Sequence, residues 1–209
     1  MTNDQELQIA LQNKDVLFAE LEHRSRNTLQ MISAFLAMAA KSAKHPETKS
    51  ALQDVRRRVE SVDAAERALL KLAAHDRVDL AEFLPEVVKE LMVLEARPGV
   101  RFDIAVEPVE TTVKQASSLG MIVNELALNA MKHAFPAGRG AIRLEVRRLA
   151  GVRAQVVVAD DGIGAAAAAT ATRGSGMGRR IVDGLCRQTA ATLEIRSGVG
   201  TRAVLEFDA

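Results

Sequence analysis

Apolar residues recur at steps of three and four along the first third of the chain. From residue 4 to residue 44 there is neither Pro nor Gly, and Leu7, Leu11, Phe18, Leu21, Ile32, Phe35 and Ala39 mark one stripe, the signature of a long amphipathic helix. His45-Pro46 ends it, because the residue before a proline avoids the helical region. Pro46 followed by Glu47 suits the first turn of a second helix. Leu52, Val55, Val59, Val62, Ala65, Leu69 and Leu72 carry that helix to about residue 75. Two helices joined by a short turn form an antiparallel hairpin. Its stripes exceed what a lone hairpin buries, so the pattern predicts a dimeric four-helix bundle.

The period changes after His75-Asp76-Arg77. Asp79 is placed to cap a helix over residues 80–95, with Pro85 expected to kink it or shift its start. Pro98-Gly99 turns into a strand in which Val100, Phe102, Ile104 and Val106 alternate onto one face. Residues 111–113 read as a short strand, 115–134 as a helix, and 141–149 and 153–159 as strands around Ala150-Gly151. The alanine-rich run 165–173 fits helix or loop; 177–189 reads as a helix, and 193–196 and 202–207 as closing strands. The expected organisation is α + α/β: a helical hairpin over residues 1–76, then a sheet with helices packed on it over 77–209.

Composition narrows the chemistry. The chain has 209 residues, of which 48% are hydrophobic, enough for a packed core in one large or two small domains. Twenty-eight basic residues against 27 acidic ones, a net charge of +1, argue against a dedicated nucleic-acid binder. Six Phe with no Trp or Tyr provide no stacking platform for bases. The single cysteine, Cys186, has no internal disulfide partner and reads as a small core residue, which fits a reducing compartment. No run approaches the roughly 20 apolar residues of a membrane span, and the polar N-terminus is not a signal peptide. The expectation is a soluble, cytoplasmic protein that binds neither membrane nor nucleic acid.

Three segments of the second half carry a nucleotide site. Glu125 and Asn129, four residues apart, share one helix face. An Asn amide oxygen suits Mg²⁺, a hard cation that takes oxygen ligands and keeps some waters; Lys132, three residues further on, could reach a phosphate, with His133 beside it. Asp160 ends a strand and is followed by Gly162 and Gly164. A carboxylate there can accept from an exocyclic amine such as that of adenine, and the glycines let backbone approach a flat ring. Gly174, Gly176 and Gly178 lead into the helix that starts near Met177; backbone amides at such a junction favour phosphate. This glycine run lacks both the enclosing βαβ unit of a dinucleotide fold and the Lys-Ser/Thr of a P-loop.

His23 lies in Glu20-Leu21-Glu22-His23-Arg24-Ser25-Arg26-Asn27-Thr28-Leu29-Gln30. It is two residues beyond the stripe position Leu21, about 200° around the helix, and so points outward. A neutral imidazole is nucleophilic near pH 7, which makes an exposed histidine a suitable phosphoryl acceptor.

These residues together resemble a sensor histidine kinase. The subfamily resembled, sibling to the HWE kinases, carries its phosphorylated histidine in a His-Arg-x-Lys-Asn-x-Leu-Gln motif, read here as His23 to Gln30. The family's Asn-Glu-Leu-x-x-Asn-Ala-x-Lys-His-Ala-Phe-Pro box is matched at residues 124–136, its Asp-x-Gly-x-Gly at 160–164, its second glycine box at 174–178 and its closing Ser-Gly-x-Gly-Thr at 197–201. The resemblance implies a dimerisation and histidine-phosphotransfer hairpin followed by a Bergerat-type (GHKL) ATP-binding α/β sandwich. It implies Mg²⁺ on Asn129, the adenine amine on Asp160, and a phosphate cradle and lid from the glycine boxes and Thr201. It also implies transfer of the γ-phosphoryl group to His23 and onward to an aspartate of a response regulator receiver domain.

The chain departs from the pattern in places. Arg24 follows His23 where many histidine kinases carry an acidic proton acceptor, so Glu20, one turn earlier, is the candidate base. The lid between Gly164 and Gly174 is short and alanine-rich, and Ala190-Ala191 stands where Gly-Gly is frequent. No sensor domain precedes His23, so the input is expected from an upstream sensor protein, or the chain is a fragment. Two other readings stay open: a histidine phosphotransferase or scaffold with a degenerate ATP site, and a GHKL ATPase or serine kinase, in which Glu125 matches the water-activating glutamate.

Overall fold

The computed structural model describes residues 3–72, 77–95, 97–164 and 177–209, without the side chains of residues 3–19, 21–23, 71 and 177. Helix α1 spans Asn3–Ser42 and α2 spans Pro46–Leu72. The chain divides into two compact units, Met1–Asp63 and Ala64–Ala209. The division falls inside α2, because Ala65, Ala68 and Leu69 belong to the core of the second unit.

In the first unit, Ser33 Oγ donates to Glu60 Oε1 at 2.9 Å, tying α1 to α2, and Arg56 approaches the same carboxylate at 3.1 Å. Of the predicted stripe, Ile32 is 41% and Phe35 64% exposed, and Met31 and Met38 beside them are more than half exposed. The side chains of Leu7, Leu11, Phe18 and Leu21 lie outside the described residues.

The second unit is built from β1 (Arg77–Asp79), α3 (Leu80–Leu94), β2 (Val100–Val106), β3 (Glu110–Thr112), α4 (Val113–His133), β4 (Gly140–Arg148), β5 (Arg153–Asp160), α5 (Met177–Gln188), β6 (Thr192–Gly198) and β7 (Gly200–Asp208). Five strands form a mixed sheet in the order β2-β4-β5-β7-β6. Only β2 and β4 are parallel, as they must be given the helical crossover through α4 that joins them. One face presents Ile142, Leu144, Val146, Val156, Val158, Leu205 and Phe207 to the fully buried Phe83 and Leu84 of α3 and Leu119, Ile122 and Leu128 of α4. Each such side chain contributes about 1.5–3 kcal/mol on burial. The other face is charged. Glu145, only 5% exposed, sits among the guanidinium groups of Arg147, Arg143 and Arg202 at 3.0, 3.6 and 3.9 Å.

Asp79 caps α3 as expected, its Oδ1 accepting from Ala81 N at 2.9 Å. The same oxygen accepts from Val109 N at 3.0 Å, so one carboxylate both starts the helix and anchors the segment before β3. Pro85 lies within α3, which runs on to Leu94. Two features go beyond the periodic pattern. Residues 77–79 are a strand, pairing antiparallel with Glu110–Thr112; three residues are too few for a periodic signal. Ile104 is 40% exposed, because β2 is an edge strand whose apolar face is only partly covered. Among the described residues no helix is long and apolar enough to cross a membrane.

Helix α5 closes with Ala191 N donating to Cys186 O at 2.9 Å, around Ala190 at φ 51°. This is a Schellman termination with alanine at the left-handed position, which glycine occupies without a Cβ clash. Ala190→Gly is expected to raise stability by about 0.5–1 kcal/mol, read as a higher denaturation midpoint at unchanged slope in urea. No gain would mean that the helix end absorbs the left-handed geometry elsewhere. Burial pushes the nearby Cys186 thiol above its ordinary pKa, in keeping with the inert core residue expected from the sequence.

Candidate functional site

Three segments of the second unit converge at the end of β5: the turn 160–164, the C-terminal end of α4, and the hairpin between β6 and β7. Asp160 organises the convergence. Its Oδ1 accepts from Gly162 N at 3.0 Å, closing the turn on itself, and from Thr201 N at 3.2 Å, binding the turn to β7. A carboxylate has about four acceptor positions, so two backbone donors leave capacity for a ligand amine, and Asp160 is only half-buried.

The glycines let the three segments pack this closely. A Cβ on Gly162 would stand 2.3 Å from the Ala134 carbonyl oxygen, and Ile163 N donates to that oxygen at 3.0 Å. A Cβ on Gly200 would stand 1.9 Å from the Asp160 carbonyl oxygen, and Gly200 sits at φ +80°. Gly164 is buried against the same hairpin, near the carbonyl oxygens of Gly198 and Gly200. The turn is thus wedged between helix end and hairpin with no room for a side chain at Gly162, Gly164 or Gly200.

Thr112 caps α4, its side chain accepting from Gln115 N. Its burial differs between the two residues expected to share a face: Glu125 is 4% exposed, whereas Asn129, one turn on, is exposed. Lys132 and His133 are half-buried in the last turn before Ala134. Asn129, Lys132, His133 and the Asp160 turn are therefore linked through Ala134. The donor set suits a magnesium nucleotide. Among the described residues no three His, Cys, Asp or Glu side chains gather into a metal cage, and Mg²⁺ characteristically takes one or two protein oxygens, with phosphates and waters completing the shell.

Gly178 is buried in the first turn of α5, which starts at Met177. Gly174 and Gly176, with the alanine-rich run 165–173, lie outside the described residues. In the first unit, His23 falls within α1, its side chain outside the described residues. Glu20 and Arg24 flank it, the Arg24 Nη2 and Nε donating to Glu20 Oε1 at 2.6 and 3.1 Å, both side chains exposed.

Sequence reasoning had not assigned roles to Ala134, Asp161 and Gly200. Ala134 contributes a carbonyl, for which a sequence carries no signal. Gly200 was visible as the second glycine of Ser-Gly-x-Gly-Thr, but its contact with Asp160 is a tertiary fact.

A family model described as histidine kinase matches residues 20–94, and one described as histidine kinase-, DNA gyrase B-, and HSP90-like ATPase matches residues 114–209. The sensor histidine kinase PdtaS of Mycobacterium tuberculosis (strain ATCC 25618 / H37Rv) is 28% identical over 200 residues, covering 94% of this chain and 38% of that protein. The blue-light-activated histidine kinase 2 of Erythrobacter litoralis (strain HTCC2594) is 26% identical over 199 residues, covering 93% and 57% respectively. This chain thus spans well under two thirds of the length of these curated relatives. Among solved structures, the histidine kinase domain of the Erythrobacter litoralis EL346 blue-light activated histidine kinase shares the fold at a TM-score of 0.64 and 20% identity, over 85% of this chain and 95% of that one. A longer structure of the EL346 kinase gives a TM-score of 0.67 at 23% identity, over 93% and 59%.

Proposed function

We propose, on the premise that this chain belongs to the histidine kinases, that it is an ATP-dependent protein-histidine kinase: it autophosphorylates on His23 and passes the phosphoryl group to an aspartate of a response regulator receiver domain. Membership rests on the two family matches, which between them take in the His23 motif and the nucleotide segments. The observation that carries the reading is the Asp160 carboxylate, fixed by two backbone donors beside the end of the helix that bears Asn129.

Residues 1–76 serve as dimerisation and phosphotransfer domain, and 77–209 as ATP-binding domain. Asp160 binds the adenine amine, with Gly162, Gly164 and Thr201 shaping its surroundings. Asn129 holds Mg²⁺, which would neutralise charge on the transferring phosphoryl group. Lys132, His133 and the run Gly174, Gly176, Met177 and Gly178 attend the phosphates, and Glu125 provides a buried carboxylate behind Asn129. A bond forms from an imidazole nitrogen of His23 to the γ-phosphorus as the bond to the bridging oxygen breaks and ADP leaves. Glu20, held by Arg24, takes the imidazole proton. Catalysis is chiefly positioning and charge neutralisation. The setting is cytoplasmic.

Met31, Ile32, Phe35 and Met38 place four exposed large apolar side chains within eight residues of α1, a surface that a second copy would bury. Light scattering at micromolar concentration is expected to give the dimer mass; a monomer would remove the bundle from the proposal.

Incubation with Mg²⁺ and γ-labelled ATP tests the function. Acid-labile, alkali-stable label on the protein is expected. ATP hydrolysis with no protein-bound label would instead assign the site to an ATPase.

A further inference from the structure

Asp161 stands next to the base-binding aspartate but faces a different strand. Its Oδ1 accepts from Ala141 N at 2.7 Å, and its own N–H donates to Ala141 O at 3.2 Å. The regular β4–β5 ladder ends one residue earlier, at Ile142 opposite Asp160. Asp161 therefore adds one more closed pair beyond the ladder, made half by backbone and half by a carboxylate. Gly140 leaves the carboxylate room: a Cβ there would stand 2.8 Å from Asp161 Oδ1 and 2.1 Å from the Phe135 ring.

The turn 160–164 is thus held at three separate places. Asp160 is bonded to Thr201 of β7, Asp161 to Ala141 of β4, and Ile163 to Ala134 at the end of α4. The first sets the height of the turn on the hairpin, and the third sets its distance from the helix of Asn129. The second lies between them, at the residue adjoining the recognition carboxylate, and fixes where the turn leaves the strand. Without it, Asp160 keeps its ladder partners Ile142 and Thr201, but the turn that carries Gly162 N, a donor to its carboxylate, loses its side-chain tie to β4. A short bond from a charged acceptor to backbone N–H is well suited to that task.

We infer that Asp161 is a positioning residue that orients the Asp160 carboxylate, and so sets discrimination for a purine bearing a 6-amino group. The inference rests on the proposed role of Asp160 as the adenine reader. Inosine triphosphate, with a carbonyl at position 6, probes it directly: it keeps the phosphates and ribose but offers no amine to a carboxylate.

The experiment measures dissociation constants of ATP and inosine triphosphate for the full chain by displacement of a fluorescent nucleotide, with melting temperature recorded for each variant. For Asp161→Ala, ATP affinity is expected to fall about tenfold, the scale of one hydrogen bond to a charged group, while inosine triphosphate affinity changes little, so that discrimination is lost. Asp161→Asn, whose amide oxygen still accepts from Ala141 N, is expected to keep it. Equal weakening of both nucleotides by Asp161→Ala, or unchanged discrimination, would overturn the inference and leave Asp161 a purely structural tie. Asp160→Asn separates the two levels. If it abolishes discrimination and Asp161→Ala does not, only the present inference fails; if Asp160→Asn leaves discrimination intact, the reading of Asp160 itself fails.

Discussion

His23→Ala is expected to abolish the acid-labile phosphate that the proposed kinase acquires from Mg²⁺ and ATP, while nucleotide affinity is expected to stay within about twofold, the scatter of independent sites. The chain holds four histidines, His23, His45, His75 and His133; among the described residues only His23 lies in a helix with an acidic neighbour at one turn's spacing. A phosphorus–nitrogen bond hydrolyses in acid and survives alkali, so the chemistry of the label reports the acceptor type independently of the substitution. His23 belongs to the unit Met1–Asp63 and the residues proposed to bind nucleotide to Ala64–Ala209, so the substitution alters none of them. Label that persists in the variant would place the acceptor elsewhere. Acid-stable, alkali-labile label would point to a serine and to the serine-kinase reading.

Gly200→Ala should cost the fold more than any other single methyl group near the site. The new Cβ would meet the carbonyl oxygen of Asp160 at 1.9 Å, its carbonyl carbon at 2.9 Å and the Asp161 Cα at 3.2 Å. All three are backbone atoms, so no side-chain rotation relieves the clash. The residue would also occupy φ +80°, which costs an L residue about 1–2 kcal/mol. Displacing the turn adds to this, for an expected destabilisation of about 3–4 kcal/mol. The bond from Thr201 N to Asp160 stretches as the strands part, so ATP affinity falls by about tenfold or more. Gly198→Ala is the control: nothing lies within 4 Å of its Cβ position, and it is expected to fold and bind as the parent does. Urea denaturation with nucleotide displacement reads both effects. A Gly200→Ala protein of parental stability would show that the hairpin moves aside at little cost, and that the packing of Gly200 on Asp160 does not position the carboxylate.

How far the site is legible along the chain depends on the range of the interaction that makes it. Asn129, Asp160, Gly162 and Gly164 are readable because each belongs to a short local pattern: a helix face repeating every fourth residue, or an aspartate at a strand end before closely spaced glycines. Asp161, adjacent to Asp160, is equally conspicuous in sequence, yet its bond runs to Ala141, twenty residues away, and no local pattern encodes that. The burial of Glu125 against the exposure of Asn129 shows the same limit. Helical periodicity puts them on one side, but the depth of each along that side depends on where α4 leaves its neighbours.

The amino-acid order by itself determined the elements and their kinds. The periods of apolar residues placed α1, α2, α4, β4 and β5 within a few residues of their ends, and Asp79, with its side chain one hydrogen bond from Ala81 N, marked the start of α3. Those choices depend on interactions within a few residues, which periodicity and capping chemistry express directly. Tertiary structure alone decided the pairing of Arg77–Asp79 with Glu110–Thr112, the assignment of the end of α2 to the second core, the left-handed Ala190, and the three-point fixing of the Asp160 turn. Each arises where segments distant in sequence compete for the same volume or the same backbone donor, and that competition is settled only when the chain is packed.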